Sequence, residues 1–126
     1  MYFNPAKLLV ASAFLKGAFC ITKFYAGKGF SGPSKTLAED GSCQNVPSDW
    51  NDFSSSLSFQ WEYEWNVYFK DNGCKSSYLL VPNGHAALND LGYYGFDRQI
   101  SSYSADDNLG RYPCQYACGD LCCGNA

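Results

Sequence analysis

The sequence predicts an all-β protein built as one small domain and stapled by disulfides. Three features predict it: a long run of alternating side chains, turns rich in glycine, and a cysteine count that pairs off. A chain of 126 residues is the size of one domain. Leu57, Phe59, Trp61, Tyr63, Trp65, Val67 and Phe69 take the odd positions of one stretch, and Ser58, Gln60, Glu62, Glu64 and Asn66 take the even ones. Alternation with period two is the pattern of β structure with one buried face. Residues 57–69 are too many for an ordinary strand. The run is read as two strands, or one strand that bends between sheets near residues 62–64, with the odd row in the core. Residues 21–25 read as a short apolar and aromatic strand, and Gly27 and Gly29 permit the positive φ values that a tight turn after it needs. Residues 71–73 and 82–84 (Asp-Asn-Gly and Pro-Asn-Gly) are further turns.

Residues 1–20 read as a secretory signal peptide. Lys7 gives a basic start, residues 8–15 are uncharged and mostly apolar, and small residues lead to Ala18-Phe19-Cys20, although Lys16 interrupts the apolar stretch late. The apolar run is too short to span a bilayer, which predicts no membrane anchor. Cleavage after Cys20 removes one of the seven cysteines and leaves an even set; cleavage after Ala13 is the alternative and leaves all seven. The expected organisation is a signal at 1–20, a β domain at 21–105 and a cysteine-rich C-terminal extension at 106–126. The expected location is extracellular.

The six remaining cysteines are Cys43, Cys74, Cys114, Cys118, Cys122 and Cys123. The tail spacing could be read as thiolate ligands for zinc, but an exported chain favours disulfides. Cys114, Cys118 and Cys122 would share one side of a short helix. Cys122 and Cys123 are not expected to bond each other, because neighbouring residues strain the bridge. Cys43 and Cys74 bond each other or receive tail cysteines. Net charge is −3 with no basic block, which argues against nucleic acid as a partner. No catalytic constellation stands out. The one histidine, His85, falls in an expected exposed turn, Glu62 and Glu64 are read as solvated strand charges, and no phosphate loop is present.

The chain also carries an internal repeat. Tyr25, Phe30-Ser31-Gly32 and Leu37 match Phe69, Cys74-Lys75-Ser76 and Val81 at an offset of 44. Residues 51–56 (Asn-Asp-Phe-Ser-Ser-Ser) match residues 97–102 (Asp-Arg-Gln-Ile-Ser-Ser) at an offset of 46. With these residues in view, the chain resembles the βγ-crystallin family. Tyr25, Phe30 and Gly32 fit that family's aromatic-x4-aromatic-x-Gly hairpin signature, and residues 51–56 fit its calcium signature. The resemblance covers about residues 21–105 and implies two Greek-key motifs forming one βγ-crystallin-like sandwich. It further implies calcium held by Asn51, Asp52, the Phe53 carbonyl and Ser55, with a second set of Asp97, the Gln99 carbonyl and Ser101, each loop sharing its site with the other motif. Cys74, Ser76 and Arg98 depart from the second motif's pattern. Arg98 would set a cation beside a divalent ion, so zero or one calcium site is expected rather than two.

Secreted relatives with this resemblance include killer-toxin-like and antimicrobial proteins and proteinase inhibitors. The expectation is therefore a monomeric, non-enzymatic secreted effector or toxin-like protein that binds an extracellular protein or cell-wall target, with calcium support. Two alternatives use the same scaffold. One is a proteinase inhibitor, presenting residues 29–35 or 84–90 to a protease. The other is a cell-wall carbohydrate-binding module using Trp50, Tyr93 or Tyr94.

Overall fold

The computed structural model describes residues 20–60, 63–85, 87–107 and 111–126. The expected signal segment lies, but for Cys20, outside the described residues. Among the described residues, ten strands run in chain order: β1 (Cys20–Gly27), β2 (Ser31–Glu39), β3 (Gln44–Asn45), β4 (Ser56–Gln60), β5 (Trp65–Asp71), β6 (Lys75–Pro82), β7 (Ala87–Leu88), β8 (Ser102–Asp106), β9 (Tyr116–Cys118) and β10 (Leu121–Asn125). One 3-10 turn at Leu91–Tyr94 precedes β8; Asp90 accepts from the Gly92 amide at its start, and Gly95 closes it at φ 80°.

The strands form two antiparallel sheets, β2-β1-β4-β7 and β3-β8-β5-β6-β10-β9. Each motif keeps three strands in its own sheet and sends the short third one across. β3 of the first motif pairs with β8, and β7 of the second pairs with β4. This exchange joins the two motifs into one sandwich. Thr22, Phe24 and Ala26 of β1 face its interior, and so do their repeat partners Asn66 and Tyr68 of β5. Around them lie Leu57, Leu79, Val81, Leu88, Leu91, Phe96, Ile100 and Tyr103. Burying these rings and branched chains is the main stabilising term. Three hydroxyl and amide groups also meet inside: Tyr68 Oη lies 3.1 Å from Thr22 Oγ1 and 2.8 Å from Asn66 Nδ2.

The alternating run does split into two strands, β4 in one sheet and β5 in the other. Its expected burial is corrected, however. In β4 the core residue is the odd Leu57, whereas in β5 the even Asn66 and Tyr68 face the sandwich interior. The parity changes where the chain leaves one sheet for the other. The odd Val67 and Phe69 turn outward, yet they are fully buried in a second cluster with Tyr78 and Leu80. Tyr112 and Cys122 cover that cluster, and Tyr112 sets its ring edge-on to Phe69 and Tyr78 at 5.3 Å. A strand buried on both faces cannot show a polar row, which is why alternation alone misplaced the core.

The cover comes from the tail. It forms no helix over its cysteines, contrary to the helical alternative. Instead β9 and β10 make a hairpin whose second strand pairs with β6 from Ser77 to Leu80. Disulfides join Cys114 to Cys122 and Cys118 to Cys123 within this hairpin, and Cys43 to Cys74 across the motifs. All six expected cysteines are thereby used as bridges, and none of them is left for zinc. Among the described residues, no helix is long and apolar enough to cross a membrane.

Candidate metal site

The repeat seen in the sequence is reproduced bond by bond in the backbone. In the first motif the Phe30 amide donates to Ser56 Oγ at 3.0 Å, and that hydroxyl donates to the Gly27 carbonyl at 2.6 Å. In the second, the Cys74 amide donates to Ser102 Oγ at 2.9 Å, and that hydroxyl donates to the Asp71 carbonyl. The Ser55 amide donates to Tyr25 O, and the Ser101 amide to Phe69 O. The left-handed positions also correspond: Phe30 with Cys74 (φ 60° and 56°), Gly32 with Ser76 (77° and 65°), and Asp52 with Arg98 (57° and 54°). The departures at Cys74 and Ser76 therefore leave the second hairpin's shape intact. In the first hairpin Phe30 packs edge-on against Tyr25 at 5.5 Å. In the second, the place of that ring is taken by a covalent bond, Cys74 to Cys43.

Reciprocal bonds also lock the two signature loops to each other. The Asp52 amide donates to the Ile100 carbonyl at 3.1 Å, and the Arg98 amide to the Ser54 carbonyl at 2.9 Å. This pairing brings Ser101 of the second motif to Asp52 of the first, and Ser101 Oγ donates to Asp52 Oδ1 at 3.0 Å. The resemblance put Asp52 and Ser55 in one set and Ser101 in the other, with each loop sharing its site with the other motif; the hydrogen bond joins Asp52 of the first set to Ser101 of the second. Asn51 and Asp52 are exposed, Phe53 is half-buried, and Ser55 and Ser101 are buried. Two oxygens 3.0 Å apart are close enough to ligate one calcium ion, which takes oxygen donors at about 2.4 Å.

The equivalent place in the second motif is different. Arg98 stands where Asp52 stands in the first, and its guanidinium lies 5.3 Å from the Phe53 ring centre, with Nη2 donating to Ala26 O at 3.5 Å. A fixed positive charge replaces the carboxylate there. Asp97 Oδ1 is buried without a hydrogen-bond partner, and Gln99 is exposed. Among the described residues, no three His, Cys, Asp or Glu side chains converge. The oxygens at Asp52 and Ser101 are of another kind, a single carboxylate with hydroxyl and main-chain groups.

The other candidate residues fall as follows. Trp50 and Tyr94 are buried, which removes two of the three rings of a carbohydrate platform; Tyr93 remains, 61% exposed. Burial, together with a hydrogen bond and the charge of Asp120, pushes the Tyr94 hydroxyl up to about 12. His85 is half-buried rather than exposed, with Nε2 3.6 Å from Asp120 Oδ2. The tail's Asp120 supplies both contacts, and no local motif in the sequence marked it.

Two similar motifs that exchange a strand and share signature loops define a two-motif Greek-key sandwich. Comparison with solved structures names that architecture: the chain has the βγ-crystallin fold. It is similar to a βγ-crystallin from an archaeon, with 17% identity, a TM-score of 0.55, and coverage of 69% of this chain and 98% of that one. It is similar also to a βγ-crystallin of Ciona intestinalis, with 19% identity, a TM-score of 0.55, and coverage of 68% and 99%. A third similar structure is the βγ-crystallin domain of Abundant Perithecial Protein from Neurospora crassa in the Ca2+-bound form, at 21% identity, TM-score 0.49, and 70% and 89% coverage. No protein-family model matches the chain, and no curated protein matches it.

Proposed function

We propose that the protein is an exported, non-enzymatic βγ-crystallin-type module that takes up one calcium ion between its motifs and acts by binding an extracellular partner. The ligands would be Asp52 Oδ1 and Ser101 Oγ, with Asn51 and the Phe53 carbonyl completing the oxygen set. The observation that carries this reading is the 3.0 Å approach of Ser101 Oγ to Asp52 Oδ1 across the motif boundary. Calcium supplies a double positive charge there. Ser101 Oγ and Asp52 Oδ1 would hold the ion, the carboxylate neutralising part of its charge. Arg98 opposes a second ion at the equivalent place. Three disulfides support export, because such bonds persist in oxidising surroundings.

Because the two ligands belong to different motifs, binding ties the sandwich together and raises its stability by mass action. At free calcium about ten times Kd, the gain is about 1.4 kcal/mol, or roughly 5 °C in melting temperature. The test is thermal melting with and without millimolar calcium for the wild type, Asp52→Ala and Ser101→Ala. The wild type should shift and both variants should not. An unshifted wild type would sink the metal reading.

A further inference from the structure

The three disulfides differ in surroundings. Cys118 and Cys123 are buried in the sandwich core. Cys122 packs on the outer cluster, and its partner Cys114 is exposed. Cys43 is exposed and Cys74 half-buried, and their bond walls an open cleft of about 410 Å³ lined also by Ser42, Gly73, Ser104, Arg111 and Tyr112. We propose that the Cys43–Cys74 bond is a thiol–disulfide exchange site for a dithiol reductant, and that its reduction releases the second folded hairpin from the first motif.

The cleft gives an incoming thiolate access to the bond. It attacks Sγ of Cys43, the more exposed residue of the pair, forming a mixed disulfide and expelling Cys74 as a thiolate that takes up a proton. The second thiolate of the reductant then attacks its own sulfur in the mixed disulfide. Cys43 leaves as a thiolate and is protonated in turn. Two electrons pass to the protein, and the dithiol ends as a disulfide. Two features favour this course. Arg111 brings positive charge to the cleft, which stabilises departing thiolates, although it also reaches Asp106 at 3.6 Å. Cys74 Sγ lies 3.5 Å from the Tyr103 carbonyl, so the thiol made by reduction has an acceptor already in place.

Reduction has a defined structural consequence. The bond fixes Cys74, whose amide is held by Ser102 Oγ, and Ser102 follows Ser101 in the chain. In the first motif a ring contact secures the matching hairpin; in the second the covalent bond does so. Once it opens, Cys74 keeps a left-handed backbone at φ 56° without the cross-link that stabilised it. Loosening there displaces Ser101 and weakens the pairing with Asp52, a consequence that rests on the calcium reading above.

The full oxidised chain is treated with graded dithiothreitol, quenched by alkylation and mapped by mass spectrometry, with hydrogen exchange followed at residues 71–77. Cys43 and Cys74 should label together at least tenfold faster than Cys118 and Cys123. Exchange at residues 71–77 should rise at least tenfold at that stage, and calcium affinity should fall at least tenfold. Cys114→Ser with Cys122→Ser should leave these results unchanged. Simultaneous labelling of Cys118 and Cys123, or unchanged exchange at residues 71–77, would overturn the proposal. If the oxidised chain takes no calcium, the metal reading fails alone, and labelling order and exchange still decide the exchange site.

Discussion

Ser56 and Ser102 offer a direct probe of the paired motifs, because each closes a folded hairpin with one hydroxyl. Each is fully buried, accepting from an amide (Phe30 or Cys74) and donating to a carbonyl (Gly27 or Asp71). Replacement by alanine removes both bonds and leaves a backbone donor and acceptor without that partner. A buried polar group left unpaired costs about 1–3 kcal/mol. The hairpins lie at the surface, with Phe30 39% exposed, so water recovers part of the loss and the low end, about 1 kcal/mol, applies to each of the two backbone groups. The expected penalty is about 2 kcal/mol per substitution, or roughly 8 °C in melting temperature. Ser56→Ala and Ser102→Ala should destabilise by similar amounts, because their bonds correspond one to one. Thermal melting by circular dichroism, checked by urea titration, measures both. A shift under 2 °C in either variant would refute the claim that these hydroxyls close the hairpins.

Two further predictions follow from the same geometry. Ser76 holds φ 65° where the first motif has Gly32; Ser76→Gly relieves a left-handed penalty of about 1–2 kcal/mol, partly offset by chain entropy of about 0.5–1 kcal/mol, and should raise the urea midpoint slightly. Tyr94 stays neutral in the fold to about pH 12, mainly through burial, while the unfolded chain loses that proton near 10. Its stabilising contribution is therefore complete below pH 10 and is lost as pH rises toward 12; Tyr94→Phe should flatten the alkaline fall in melting temperature.

The repeat was legible in the sequence because hairpin closure needs particular residues at fixed spacing. Tyr25, Phe30, Gly32 and Ser56 leave a mark that Phe69, Cys74, Ser76 and Ser102 preserve in altered form. Cys74 and Ser76 looked like breaks, yet a disulfide stands in for the missing ring and the serine tolerates a glycine's backbone. The facing of β5 was not legible, since Val67 and Phe69 are covered by a tail more than forty residues away. Alternation reports how many faces are buried only when one of them meets water. The contact of Asp52 with Ser101 was half legible: the signature supplied both residues and the sharing between motifs, but which side chains meet follows from the cross-motif bonds at Ile100 and Ser54. The partnership of His85 and Tyr94 with Asp120 depended on where the tail hairpin docks, which no local pattern encodes.

Counting bound calcium by titration calorimetry tests the proposed site between the motifs most directly. The wild type should bind one ion, Asp52→Ala none, and Arg98→Asp, which restores a carboxylate at the equivalent place, two. Retention of the ion by Asp52→Ala, or two ions in the wild type, would contradict the assignment.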